Sequence, residues 1–259
     1  MQTFNYHTHT SRCGHANGTD EEYVLAAIKA GYTVLGFSDH GPYPGIPFPR
    51  GRMNYEQLDE YVSSISLLKE KYRDQIDIKI GLEIEYYPDY HDHYAELKKK
   101  VDYLLLGQHF MNPYGANTFF RFNTDDQIEA YADFICEGLD TGLFTYLCHP
   151  DVFLYNQPVF NEACEKTIRT ILEKASSTNT PLEINAHGTY RGKILSPEGR
   201  EDYCYPNRTF WTMASKYPVR CLYGVDAHDP AQLLDKEALE KAEKEVSGLG
   251  LSFIKEPLL

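Results

Sequence analysis

Seven short apolar segments of this 259-residue chain stop at or next to a residue able to hold a metal ion, and this recurrence restricts the fold more than any other feature. It begins in Phe4-Asn5-Tyr6-His7-Thr8-His9. A strand points residues i and i+2 to the same side, so His7 and His9 can present two imidazoles to one cation. Later segments deliver Asp39 and His40, then Glu83 with Glu85, then His109, His149, His187, and finally Asp226 with His228. Any one of these histidines is more readily explained as structural or solvated. Together with His15 they form a set that chance does not easily produce.

Between these endings the chain reads as helices. Thr19 with Glu22 makes a capping box for a helix that Gly31 ends, and Thr33 to Phe37 follows as a buried strand, completing a parallel βαβ unit. Leu58, Tyr61, Val62, Ile65, Leu68 and Tyr72 recur at spacings of three and four, predicting a helix over 54–72. Strands are expected at 76–84, 103–106, 143–147, 181–184, 219–225 and 251–254. Helices are expected at 89–100, 124–140, 161–177, 207–217 and 235–246, with 189–205 irregular. The Pro- and Gly-rich loop at 41–51 follows a strand end, where loops often cover sites. Without repeats or a linker-like break, residues 1–259 read as a single domain. Metal-type residues on nearly every strand end predict an α/β fold of the (β/α) barrel kind, whose active face lies at the C-terminal ends of the strands. An open doubly wound sheet is the competitor, but it would gather its site at one switch point.

Composition narrows the class of partner. Hydrophobic residues make up 42% and charged residues 24%, and no apolar run approaches the ~20 residues that cross a membrane. The chain enters a strand at once, so no secretory signal is expected and a cytoplasmic location is the default. Six scattered cysteines lack the spacing of a zinc ribbon or disulfide framework. A formal charge of −13, with no basic cluster, disfavours nucleic acid as a partner.

The donor set is His7, His9, His15, His40, Glu83, His109, His149, Asp226 and His228. Imidazole with carboxylate suits zinc, manganese or iron, and the set is too large for one ion, so two or three divalent metals are expected. Asp39 reads equally as a ligand or a loop-capping carboxylate, and Glu85 rivals Glu83. Cys13 and Cys148 are expected to pack, and Asp151 to form a turn. His91 and His93 sit two apart on a helix, share no face, and are expected at the surface. His187 is ambiguous, near Asn185 and Arg191. Arg50, Arg52 and the run Phe119-Phe120-Arg121-Phe122 either wall a pocket or pack on the barrel, packing being preferred.

The ordered motifs His7-Thr8-His9 with His15, Ser38-Asp39-His40, Gly81-Leu82-Glu83, Gly107-Gln108-His109, Cys148-His149-Pro150 and Asp226-Ala227-His228 resemble the polymerase and histidinol phosphatase (PHP) superfamily. The likeness runs end to end and is strongest to its histidinol-phosphate phosphatase branch. It implies a distorted seven-stranded TIM-like barrel holding three metals. His7, His9, Glu83 and Asp226 would hold the first, with Glu83 bridging to a second at His109 and His149. His15, His40 and His228 would hold the third. The implied activity is hydrolysis of L-histidinol phosphate, a small phosphorylated substrate, through a hydroxide that the metals generate and aim at phosphorus. Catalytic expectations fall on Asp226, Arg191 and His228, and substrate or phosphate contacts on Arg191, His187 and Asn185. A PHP-type nuclease or another phosphoesterase is the alternative, and a metal-sensing barrel without activity is a more distant one.

Overall fold

The computed structural model describes residues 2–46, 51–115, 117–121, 124–155, 157, 159–196 and 199–259; Arg50 and Phe122 lie outside them. The strands among the described residues are β1 (Phe4–Asn5), β2 (Val34–Phe37), β3 (Asp77–Ile84), β4 (Tyr103–Leu106), β5 (Tyr146–Leu147), β6 (Leu182–Asn185), β7 (Lys193–Leu195), β8 (Glu201–Tyr203), β9 (Arg220–Gly224) and β10 (Ser252–Phe253). Eight are parallel neighbours in the order β1-β2-β3-β4-β5-β6-β9-β10, and β7 and β8 make a separate antiparallel pair. The helices between them are α1 (Asp20–Ala30), α2 (Leu58–Lys71), α3 (His91–Leu97), α4 (Asp125–Asp140), α5 (Glu162–Thr178), α6 (Arg208–Ala214) and α7 (Lys236–Val246). Both halves of the Thr19–Glu22 capping box form, and Gly31 ends α1 at a φ of 87°. None of these helices is long and apolar enough to cross a membrane.

The sheet curls until β1 meets β9, which excludes the open doubly wound alternative. Thr8 pairs in parallel with Ala227, His9 N donating to Ala227 O at 2.8 Å and Ala227 N to His7 O at 3.2 Å. Lower on this seam, side chains replace the backbone ladder. Val225 N donates to Asn5 Oδ1 (2.9 Å), and the Gln2 amide exchanges hydrogen bonds with the backbone of Tyr223 at 2.7 and 3.0 Å. β9 divides its remaining edge, pairing Arg220 and Cys221 with β10. The outcome is a distorted (β/α) barrel. The Thr8–Ala227 bridge also brings the flanking His7, His9, Asp226 and His228 to one rim.

Helices pack outside the sheet over one large apolar core, and a second cluster containing Phe4, Tyr6, Tyr103, Leu105, Tyr146, Cys148 and Leu222 adjoins the rim residues. Tyr103 locks it by donating to Tyr6 O (2.7 Å) and Phe37 O (2.8 Å). Three expectations change. The stretch 189–205 is not wholly irregular, because β7 and β8 pair there from Lys193 with Tyr203 to Leu195 with Glu201. His93 is buried rather than at the surface, its Nε2 lying 2.8 Å from Pro42 O, since α3 packs against the loop after β2. Asp151 does more than turn the chain. It is fully buried, and Asn207 N (2.6 Å) and Trp211 Nε1 (3.1 Å) both donate to it, fixing the start of α6. Burial pushes its carboxyl up to about 7.

Candidate metal centre

Glu83, at the end of β3, is the middle of the rim. Its Oε2 faces His40 Nδ1 at 3.0 Å, His7 Nε2 at 3.4 Å and His9 Nε2 at 3.6 Å. Its Oε1 faces a different pair, His149 Nε2 at 2.8 Å and His109 Nε2 at 3.3 Å. Asp226 closes the first group, with Oδ1 at 2.9 Å from His9 Nε2 and 3.4 Å from His7 Nε2. Asp226 and His149 both adopt positive φ, 53° and 25°, a backbone state that side chains other than glycine rarely hold and that clusters at functional sites.

Behind several rings stands a second group that accepts from Nδ1 and so leaves Nε2 free for the rim. Glu183 Oε1 lies 2.8 Å from His7 Nδ1, and Glu85 Oε1 lies 3.2 Å from His109 Nδ1. Asp39 Oδ1 stands 3.5 Å from His9 Nδ1 without forming a hydrogen bond to it, and Asp39 is itself held by Thr10 Oγ1 and by His40 N at 2.8 Å. Asp39 and Glu85 thus stand behind imidazoles. Towards solvent the orienting groups change: His15 Nδ1 faces Cys13 O and His228 Nδ1 faces Asp226 O, each at 3.1 Å. The Nε2 atoms of His15 and His228 meet at 3.1 Å, near His40.

These residues fit divalent cations. The buried Nε2 atoms of His7 and His9, Glu83 Oε2 and Asp226 Oδ1 have no hydrogen-bond partner among the described residues, although they crowd together. Leaving such atoms buried and unpaired costs about 1–3 kcal/mol each, a cost that a shared cation removes. Donor atoms of His7, His9 and Asp226, of His9, His40 and Glu83, and of His15, His40 and His228 lie close enough to share an ion. Cys13 and Cys148 also come near, but burial pushes both thiols up, and Cys13 Sγ donates to Thr10 O at 3.1 Å.

Charge is distributed unevenly. Burial raises the cost of ionising Glu83, yet His109 and His7 hold its carboxyl well below the usual range. His7 and His9 do the same for Asp226. Burial opposes protonation of His7, but Asp226 and Glu183 hold it well above the ordinary histidine range. Burial is likewise outweighed at His109, which Glu83 and Glu85 push up to about 10. His40 falls to about 3 through burial and the neighbouring His9, and burial and His9 also lower His15 and His228. The outward rings are therefore neutral, the form that binds a cation, whereas a cation beside Glu83 and Asp226 would displace the extra proton from His7 and His109.

The rim opens into a cavity of about 260 Å³ lined by His15, His40, Glu83, His109, His149, Asp226 and His228, together with His187 and Arg191. Its far wall is aromatic, formed by Phe110, Phe120, Tyr155 and Tyr205. Phe120 lies parallel to His109 with centroids 5.5 Å apart, whereas Phe119 is buried in the core. Arg191 is exposed at the rim within reach of Tyr205. Asn185 is not at the cavity surface. It is fully buried, and its Nδ2 donates to Glu183 Oε2 (2.9 Å) and Asp226 Oδ2 (3.1 Å). Glu183 was missing from the expected site residues, as were Phe110, Tyr155 and Tyr205. The alternation Glu183-Ile184-Asn185 places Glu183 and Asn185 on one face of β6, the one local signal that it shared their surroundings.

Residues 5–187 match the sequence model described as the PHP domain. A probable histidinol-phosphatase of Deinococcus radiodurans is 27% identical over 257 residues, covering 94% of this chain and 92% of that protein. A histidinol-phosphatase of Bacillus subtilis is 35% identical over 98 residues, 36% of this chain and 37% of that one. Among solved structures, a histidinol phosphate phosphatase of Lactococcus lactis subsp. lactis, complexed with zinc, L-histidinol and phosphate, shares the fold. Its TM-score is 0.74 at 18% identity, with 98% of this chain and 95% of that chain covered.

Proposed function

Because this chain belongs to the PHP domain family, we propose that it is a metal-dependent phosphomonoester hydrolase that cleaves L-histidinol phosphate to L-histidinol and phosphate. What supports this most is the Glu83 carboxylate, whose two oxygens face separate groups of imidazoles as a bridging ligand would. Three divalent ions of zinc, manganese or iron would be held by His7, His9, Glu83 and Asp226, by Glu83, His109 and His149, and by His15, His40 and His228. When bound, they would supply an activated water and offset the negative charge that develops on the phosphoryl oxygens. Residues 1–259 are taken as one barrel domain.

The chain's own groups do the rest. Arg191, exposed at the rim beside Tyr205, forks its guanidinium onto two phosphate oxygens. His187 offers Nδ1, buried beside the cavity without a partner among the described residues, to a third. Asp226, held by Asn185, is placed to take a proton from the attacking water and to return that same proton to the departing alkoxide, with the neutral ring of His228 beside it. Asn185 acts at one remove, by orienting Asp226. Phe110, Phe120, Tyr155 and Tyr205 exclude water from the leaving-group side and offer flat faces to a ring.

The test is metal analysis of the purified protein followed by phosphate release from L-histidinol phosphate, nucleotides and sugar phosphates side by side. A kcat/KM at least about tenfold higher for L-histidinol phosphate, one extra recognised group at about 1.4 kcal/mol, is expected. Equal rates on all substrates would leave only a general phosphatase. His9→Ala should abolish release while the circular dichroism spectrum stays that of the wild type.

A further inference from the structure

Arg52 and Glu85 form a buried ion pair that the reaction as described does not use. Arg52 is 4% exposed and Glu85 2%, and they meet two-pronged, Arg52 Nη1 donating to Oε2 at 2.7 Å and Nη2 to Oε1 at 3.1 Å. The guanidinium lies over the rings of Tyr43 and Phe110, 5.1 and 5.6 Å from their centroids. Tyr43 OH donates to Glu85 O at 2.7 Å, which fixes the backbone beneath. The same Oε1 that accepts from Arg52 stands 3.2 Å from His109 Nδ1. Buried ion pairs contribute little net stability compared with apolar packing, so packing alone gives no reason for this one.

We propose that Arg52 and Glu85 are positioning residues that fix the ring of His109 and thereby set how tightly the cation shared by His109, His149 and Glu83 is held. This rests on the metal-dependent reading above. A carboxylate only accepts, so Glu85 keeps the His109 proton on Nδ1 and turns Nε2 to the rim, where it stands 3.2 Å from His149 Nε2. His149 Nδ1 has no partner among the described residues, which makes His109 the anchored member of the pair. Arg52 has a separate task. It occupies both oxygens of Glu85, so Glu85 orients the ring without turning into the rim as a further anionic ligand. The equivalent carboxylate behind His7, Glu183, is held instead by the neutral donors Tyr146 OH, His149 N and Asn185 Nδ2. Met53 N, next in sequence to Arg52, donates to His40 O at 3.3 Å, so one segment steadies both His40 and His109.

The experiment uses the full chain loaded with zinc or cobalt(II), challenged with a chelator, and followed by thermal unfolding and by the cobalt absorption spectrum. Glu85→Gln keeps the shape but removes the charge. It should weaken one cation by about 10–100-fold, shift the cobalt band of that ion alone, and lower kcat with little change in KM. Arg52→Lys, which keeps the charge but loses the fork, should show a smaller loss in the same ion. The double variant Arg52→Met with Glu85→Met should recover thermal stability without recovering affinity. Unchanged affinity in a folded Glu85→Gln variant, or full affinity in the double variant, would overturn the proposal and leave the metal reading intact. A wild-type protein that binds no divalent cation would overturn both.

Discussion

Around His7 and His9 the rings are fully buried and backed by carboxylates, whereas around His15 and His228 they reach towards solvent and lean on backbone carbonyls. The inner half carries Glu83 and Asp226, whose charge is kept by the imidazoles around them. The outer half, His15, His40 and His228, contributes neutral rings. A cation held by fixed anions in a dry pocket is strongly attracted and slow to leave. One held by neutral rings within reach of water is more weakly held, because water competes for its coordination and screens its charge. The difference teaches that, on the three-ion proposal, the inner half of the rim would hold its cations firmly and the outer half would exchange its own.

The largest effect should come from removing the inner centre. Glu83→Gln should cut turnover by more than the about 10–100-fold typical of losing an orienting partner, with at least two equivalents of metal missing by elemental analysis. A variant that keeps its full metal complement would break the comparison. Next is Gly224→Ala, which touches no rim residue. A Cβ there would meet Glu183 Oε1 at 1.8 Å, and β9 cannot retreat because Gly224 pairs with Asn185. Glu183 must swing from His7, so about 1–3 kcal/mol of stability should be lost in denaturant melts along with tight inner binding.

His15→Ala should be milder, releasing one equivalent and leaving the inner pair in place. In the wild type, a chelator time course should then show a fast single-ion phase before a slow one. Release of all ions in one phase would show the two halves to be alike. The smallest effect sharpens the outer boundary. Asp235 caps α7 by accepting from Glu237 N and Ala238 N, and Tyr190, beside Arg191, donates to it at 2.5 Å. Asp235→Ala should cost about 1 kcal/mol without changing metal content. Tyr190 and the backbone amides hold the Asp235 carboxyl below the aspartate range. Its contribution is therefore complete above the unfolded value of about 4 and is lost as pH falls through the lower folded value. The variant's acid unfolding limb should be correspondingly shallower.

Much of this was legible along the chain. The pairs His7 with His9 and Asp226 with His228 could be placed by strand alternation, and the structure brings both to the same rim through the Thr8–Ala227 bridge. The spacing of Leu58, Tyr61 and Ile65 predicted α2, and all three are buried. The hairpin of β7 and β8 was not legible, since neither short strand carries a clean alternation. Nor was the burial of His93, whose helix looks polar until the loop at Pro42 closes over it.

Apart from β7 and β8, the order of strands and helices was legible in the sequence alone, as were the capping of α1 and the strand-end donors, because periodicity, capping and strand alternation act between residues a few positions apart. Only the tertiary structure decided that Glu183 stands behind His7, that Arg52 reaches through Glu85 to His109, and that Asn5 and Gln2 sew the first strand to β9. Those partners lie far apart in the chain, and no local preference of either residue selects the other. They meet because closing the sheet buries charges and amides that must then find one another.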